Sequence, residues 1–188
     1  MNPRDTTGIL WVLFGLYWII RAFRNHRDVW KQSIAGRLLQ FILWTLGFSL
    51  VYSHRLDDTF FAHQLISSDP WMIGVGTFLT AVGIGFAVWA RLHLGKYWSS
   101  TVTLKENHQL IRTGPYGLSR HPIYSGIVLA LVGTFLAIGE LRSLIAVTVI
   151  FFAISLKIKD EEAMLSQHFG VVYQQYAREV KRLIPGVW

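Results

Sequence analysis

Between two apolar stretches the chain reads "GPYGLSRHPIYSG", residues 114–126, and after a second apolar hairpin it reads "KDEE", residues 159–162. Pro122 suits the first turn of a helix, because its missing N–H would be unpaired there anyway. A helix starting at that point puts His121, Tyr124 and Ser125 on one face by their three- and four-residue spacing. Tyr and Arg alone at such a helix end are interfacial anchors. Their convergence with the "GPY" turn upstream and with the acidic run emerging from the next helix points to a site. Arg120, His121, Tyr124, Glu161 and Glu162 can surround one pocket, which offers cationic and N–H donors, carboxylates and aromatic faces together.

The elements that must position these residues are apolar helices. Of 188 residues, 52% are hydrophobic and only 15% are charged, where a soluble domain carries about 25% charged residues. A spanning helix needs roughly 20 largely apolar residues. Five segments approach this: Thr6–Ile20, Ile34–Tyr52, Trp71–Ala90, Ile123–Gly139 and Leu141–Ile158. The last two are joined only by "GELR" and must be antiparallel neighbours. Because the first apolar run has no small-residue cleavage site after Ile20 and Arg21, it reads as a span rather than a leader.

Charge sets the orientation. Fifteen Lys and Arg residues fall in three segments, around 21–37, 91–120 and the tail, while Arg4, Arg55 and Arg142 lie opposite, among Asp57, Asp58, Asp69 and Glu140. Basic residues collect on the cytoplasmic side. Five spans put all three basic segments on one face, with the N-terminus outside and the C-terminus in the cytoplasm. The expected fold class is therefore all-α: an integral, multi-pass membrane protein in one domain over residues 1–188, with a structured cytoplasmic connector at 91–121 and an amphipathic C-terminal helix broken near Gly170. Ala163, Leu165, Phe169, Val172, Tyr173, Tyr176 and Val180 form that helix's expected apolar side.

Several classes are excluded or disfavoured. There is no cysteine, so disulfides, thiolate metal sites and cysteine nucleophiles are out. The seven histidines lack repeated ligand spacing, which predicts no metal, and His54 and His63 are expected in solvent. The net charge of +7 lies beside apolar segments, pointing to anionic membrane lipid rather than nucleic acid. The glycines of "GVGTFLTAVGIGFAV" sit inside an apolar span without a preceding strand, so Ala81 and Gly85 are expected to let helices approach closely rather than to cradle a nucleotide. The tryptophans fall mainly near span ends, except Trp98 in the connector.

The order "WSSTVTLKENHQLIRTGPYGLSRHPIYSG", an apolar hairpin, then "KDEEAMLSQHFGVVYQQYAREVKRLIP" resembles the isoprenylcysteine carboxyl methyltransferase family and its prokaryotic relatives over residues 91–186. The phospholipid N-methyltransferases are similar in their core. The resemblance implies an S-adenosylmethionine-dependent membrane methyltransferase with variable helices over 1–70 and a cofactor-binding core over 71–188. Its acceptor would be lipophilic or lipidated, and its active site would face the cytoplasm. Gly114, Pro115, Tyr116, Arg120, His121, Pro122, Tyr124, Ser125, Glu161 and Glu162 would form the cofactor site. Arg120, His121 and the free amides of the helix start would meet the amino-carboxylate, Tyr116 or Tyr124 the sulfonium or adenine, and Glu161 or Glu162 the amine or ribose hydroxyls. Arg178 would orient an acceptor carboxylate, which is ionised near neutrality and needs no general base. In the family a basic residue precedes the valine matching Val180, whereas here Glu179 stands there and Arg178 one earlier. Glu162 would be the base for an amine acceptor. The competing readings are a phospholipid or amine N-methyltransferase, a sterol-type reductase, and a noncatalytic scaffold or transporter subunit.

Overall fold

The computed structural model describes residues 2–22, 33–95 and 110–187. Trp98 with the rest of residues 96–109 of the connector, and the basic run after Ala22, lie outside these residues. The described chain is helical: α1 Pro3–Ala22, α2 Ile34–Tyr52, α3 Pro70–Leu94, α4 Pro122–Ile138, α5 Leu141–Phe169 and α6 Val171–Glu179. Among the described residues α2, α3 and α5 are long and apolar enough to cross a membrane, and α4 is a shorter apolar helix of 17 residues. α1 carries Arg4, Asp5 and Arg21 within its 20 residues.

The helix ends follow from local chemistry. Ser33 caps α2, its hydroxyl accepting from the Gly36 amide at 3.1 Å, which satisfies one otherwise orphaned donor. Gly139 ends α4 at φ +73, a left-handed conformation that glycine adopts without a Cβ clash. α5 continues well past Ile158, because the fall in hydropathy at Lys157–Glu162 removes lipid affinity but not helix propensity. Its 29 residues span about 43 Å, some 13 Å more than a hydrocarbon core of about 30 Å. The segment from Lys159 onward therefore projects beyond the apolar part and ends at Gly170, φ +52.

α3 and α4 form the closest helix pair. Gly76, Thr80, Gly83 and Ala87 on α3 face Gly126, Ala130, Gly133 and Ala137 on α4, two small-residue seams spaced four, three and four. A Cβ built on Gly76, Gly83, Gly126 or Gly133 would come within 3.0 Å of the opposite backbone. The small-residue principle holds but its phase differs from expectation: Ala81 is exposed and Gly85 has nothing within 4 Å. The seam is tied by Thr80 Oγ1, which donates across it to Ala130 O at 3.2 Å, and by Trp11 Nε1, which donates to Thr134 Oγ1 at 2.9 Å and fastens α1. Trp11 is thus buried in the bundle rather than part of an interfacial belt. α2 packs on α5, where Gly47 meets the side chain of Ile150.

At the end opposite the "RHP" corner, Arg142 is fully buried. Its Nε donates to Glu140 at 2.5 Å, one Nη to Asp57 at 2.6 Å and the other to Ser53 O at 2.8 Å. Arg4 pairs with both Asp57 and Glu140. Arg4, Asp57, Glu140 and Arg142 thereby clamp the start of α1, the α2–α3 connection and the α4–α5 turn. His54 and His63 are exposed at this end.

Candidate functional site

The loop before α4 owes its shape to Gly114, whose φ is +58 and whose missing Cβ would lie 2.7 Å from the His93 ring. Pro115 opens a single helical turn at Gly114–Gly117. This delivers Tyr116 to a buried position, its ring 6.4 Å from that of His93 and its carbonyl accepting from Tyr176 Oη at 2.6 Å. His121 is the N-cap of α4 and Pro122 its first residue. The tail returns alongside: the Arg120 amide donates to Lys181 O at 2.8 Å and the His121 amide to Arg182 O at 3.1 Å. Ser125 Oγ donates to Leu183 O at 2.6 Å. Ser125, Gly114, Pro115 and Pro122 therefore build the frame and do not line the cavity described below.

Charged groups fill the corner between α4, α5 and α6. Arg120 gives four of its five N–H donors to fixed acceptors: Nε and one Nη to Glu162 Oε1 at 3.0 and 2.8 Å, the other Nη to Ala177 O and Val180 O, both at 2.7 Å. Arg182 donates to Glu162 Oε2 at 2.6 Å. His121 lies between the twin carboxylates, Nδ1 at 3.3 Å from Glu161 and Nε2 at 3.4 Å from Glu162. Tyr124 Oη donates to Glu161 Oε1 at 2.6 Å. Burial alone would lower the His121 pKa, but hydrogen bonds and charge from both carboxylates outweigh it and raise it above 6.5. Burial likewise opposes ionisation of Glu162, yet His121, Arg182 and Arg120 bring its pKa down to about 2. Glu162 is therefore ionised near neutrality, and the Glu161 pKa is likewise lowered against burial, by hydrogen bonding and charge from His121. Burial pushes the Tyr176 phenol up to about 12, so it stays a neutral donor.

A cavity of about 1160 Å³ adjoins this corner. Tyr116, Arg120, His121, Tyr124 and Glu161 line it, as do Tyr173 and Tyr176 of α6. From there it continues along α1 and α2 past Trp18, Trp44, Trp11 and Phe48 to Arg4 and His54 at the far end. Glu162 is a second layer that fixes Arg120, His121 and Arg182. Arg178 is exposed on α6 and is absent from the lining. Sequence reasoning did not anticipate two contributors. Lys157 lines the cavity one turn before Glu161, its Nζ 5.9 Å from the Tyr124 ring centroid; the i, i+4 spacing from Glu161 was the available signal. The aromatic wall from the first two helices carried no distinguishing sequence signal.

The expected apolar side of the tail helix holds in part: Tyr173 and Tyr176 are buried, whereas Val172 is 50% exposed and Met164 packs inward.

The family model of the isoprenylcysteine carboxyl methyltransferase (ICMT) family matches residues 75–167. A probable protein-S-isoprenylcysteine O-methyltransferase of Oryza sativa subsp. indica is 28% identical over 90% of this chain and 87% of its own length. Protein-S-isoprenylcysteine O-methyltransferase A of Arabidopsis thaliana is 33% identical over 62% of this chain and 61% of its own length. A nickel-cobalt-cadmium resistance protein of Alcaligenes xylosoxydans xylosoxydans is 29% identical over 86% of this chain and 65% of its own length. Running from the α3 seam to beyond the twin glutamates, the matched residues carry the site's frame, and over them the chain is similar to the isoprenylcysteine carboxyl methyltransferase family.

Proposed function

We propose that this protein is an integral membrane methyltransferase that moves the methyl group of S-adenosylmethionine to the carboxylate of a lipophilic, isoprenylcysteine-like acceptor. The observation that carries the reading is the single cavity joining a charged corner to a long aromatic passage. The residues present suit the cofactor's chemistry. A cation with an amino group and ribose hydroxyls matches the ionised Glu161, and an aromatic base matches the Tyr116 and Tyr124 rings. When bound, the cofactor supplies an electrophilic methyl carbon on a sulfonium sulfur.

The chain's own work is positioning. A carboxylate acceptor is already ionised, so no side chain has to remove a proton. Holding two reactants in near-attack geometry is worth about 7–11 kcal/mol. His121 and Tyr124 fix the two oxygens of Glu161, and Glu162, itself held by Arg120 and Arg182, faces His121 Nε2 directly. Trp18, Trp44 and Phe48 keep water from the apolar passage. In this reading α1 to α5 all cross the membrane and the N-terminus lies outside. The charged corner faces the cytoplasm, residues 71–188 form the cofactor-binding core, and the variable helices of 1–70 form the acceptor wall.

The test uses membranes containing the protein, methyl-labelled S-adenosylmethionine and N-acetyl-S-farnesyl-cysteine. The reading predicts labelled product whose label is released as volatile methanol by alkali, the signature of an ester. Alkali-stable label on phosphatidylethanolamine would identify an amine acceptor instead, and no transfer to either would overturn the reading.

A further inference from the structure

The cavity has a boundary between its charged and apolar parts, and one side chain stands on it. The lining residues of α5 run Ile154, Lys157, Glu161, spaced three and four, so they form one stripe along the helix face. Ile154 is 1% exposed and belongs to the apolar wall. Glu161, at the opposite end of the stripe, belongs to the charged corner. Lys157 lies about 6 Å along the axis from Glu161, toward the apolar side. Tyr124 links the two, with its hydroxyl on Glu161 at 2.6 Å and its ring 5.9 Å from Lys157 Nζ.

We propose that Lys157 is the acceptor-binding residue that receives the acceptor's carboxylate at this boundary, and that it makes the site selective for anionic over neutral or cationic headgroups. The inference rests on the methyltransferase reading and names its substrate class more closely. An acceptor whose apolar chain lies in the aromatic passage brings its polar end to the level of Lys157, because the passage turns polar there. The other cations are placed for different work: Arg120 spends its donors on Glu162 and the carbonyls of α6, His121 sits between two carboxylates, Arg4 at the far end pairs with Asp57 and Glu140, and Arg178 is exposed. An ammonium presents three donors and attracts a carboxylate in a low-dielectric cavity, while it repels an ammonium headgroup.

The test compares binding of N-acetyl-S-farnesyl-cysteine and its carboxamide to detergent-purified wild type, Lys157→Arg, Lys157→Met and Lys157→Gln. The readout is fluorescence of Trp11, Trp18 and Trp44, which line the cavity. A charge-assisted hydrogen bond predicts that wild type prefers the acid by about tenfold or more. Lys157→Arg should keep that preference. Lys157→Met and Lys157→Gln should abolish it while leaving carboxamide affinity unchanged, which a merely structural lesion would not do. Equal affinity of wild type for acid and amide, binding of neither, or a preference surviving in Lys157→Met would overturn the proposal. A parallel titration with S-adenosylhomocysteine separates the two levels: its failure in wild type removes the methyltransferase reading, whereas its success with no acid preference removes only the role of Lys157.

Discussion

Replacing Glu162 with glutamine should unfasten the tail from the corner while leaving the helix bundle intact. Glu162 accepts from Arg120 at 3.0 and 2.8 Å and from Arg182 at 2.6 Å, and it faces His121 at 3.4 Å. Glutamine keeps one acceptor oxygen but removes the charge, leaving Arg120, with its side chain only 10% exposed, beside His121 and Arg182 without compensation. Hydrogen bonds to charged groups contribute about 1.5–3 kcal/mol each, and breaking a buried pair costs about 3–5 kcal/mol. The partial exposure of Arg182 and the retained amide oxygen bring the expected loss to about 2–3 kcal/mol. The strap between the corner and the tail reports it directly, because the Arg120 and His121 amides donate to Lys181 O and Arg182 O. Hydrogen exchange of those two amides should accelerate by about 30- to 150-fold at about 1.4 kcal/mol per decade, while amides of the α3–α4 seam hold their protection. Exchange of the Arg120 and His121 amides within about threefold of wild type would refute the idea that Glu162 holds the corner together.

Two further perturbations separate fold from site. Gly83→Ala forces a Cβ to within 3.0 Å of the α4 backbone, whereas Gly85→Ala meets nothing within 4 Å; thermal unfolding in detergent should show a loss of about 1–3 kcal/mol for the first and almost none for the second, and equal behaviour would contradict the seam. His121 and the glutamates also fix a pH window. The raised His121 pKa contributes stability that is complete below 6.5 and lost as pH climbs through the folded value. The lowered Glu162 pKa contributes stability that is complete above 4.5 and lost as pH falls toward about 2. Melting temperature should therefore plateau between these limits, and His121→Gln should remove the alkaline decline attributable to this site; an identical alkaline limb in the variant would be inconsistent with the pairing.

Elements whose ends are marked by local chemistry were legible from sequence. The bounds of α2 follow from the apolar run after Ser33, and Gly170 breaks α5 from α6 as its position predicts. The corner was legible as well, since Pro122 fixes where α4 begins and the short α4–α5 turn forces the glutamates back toward His121. Features that depend on helix rotation or on distant partners were not. The close-packing stripe of α3 runs through Gly76 and Gly83 rather than Ala81 and Gly85, because an apolar helix with small residues on several faces does not declare which face meets a neighbour. Arg142 read as an outer-loop charge, yet Ser53 and Asp57 of the α2–α3 connection and Glu140 of its own turn enclose it. Lys157 read as part of the basic tail. The continuation of α5 beyond its apolar stretch turns that residue's face toward Tyr124 and the cavity.

The proposed function requires the inner ends of α4 and α5, with the loop before them and the tail behind, to enclose the methyl donor. Titration calorimetry of the purified protein with S-adenosylhomocysteine tests it most directly, using wild type, Glu161→Gln and His121→Ala. Saturable one-site binding to wild type and at least about tenfold weaker binding to each variant are expected. Wild type that binds nothing, or variants that bind as tightly as wild type, would contradict it.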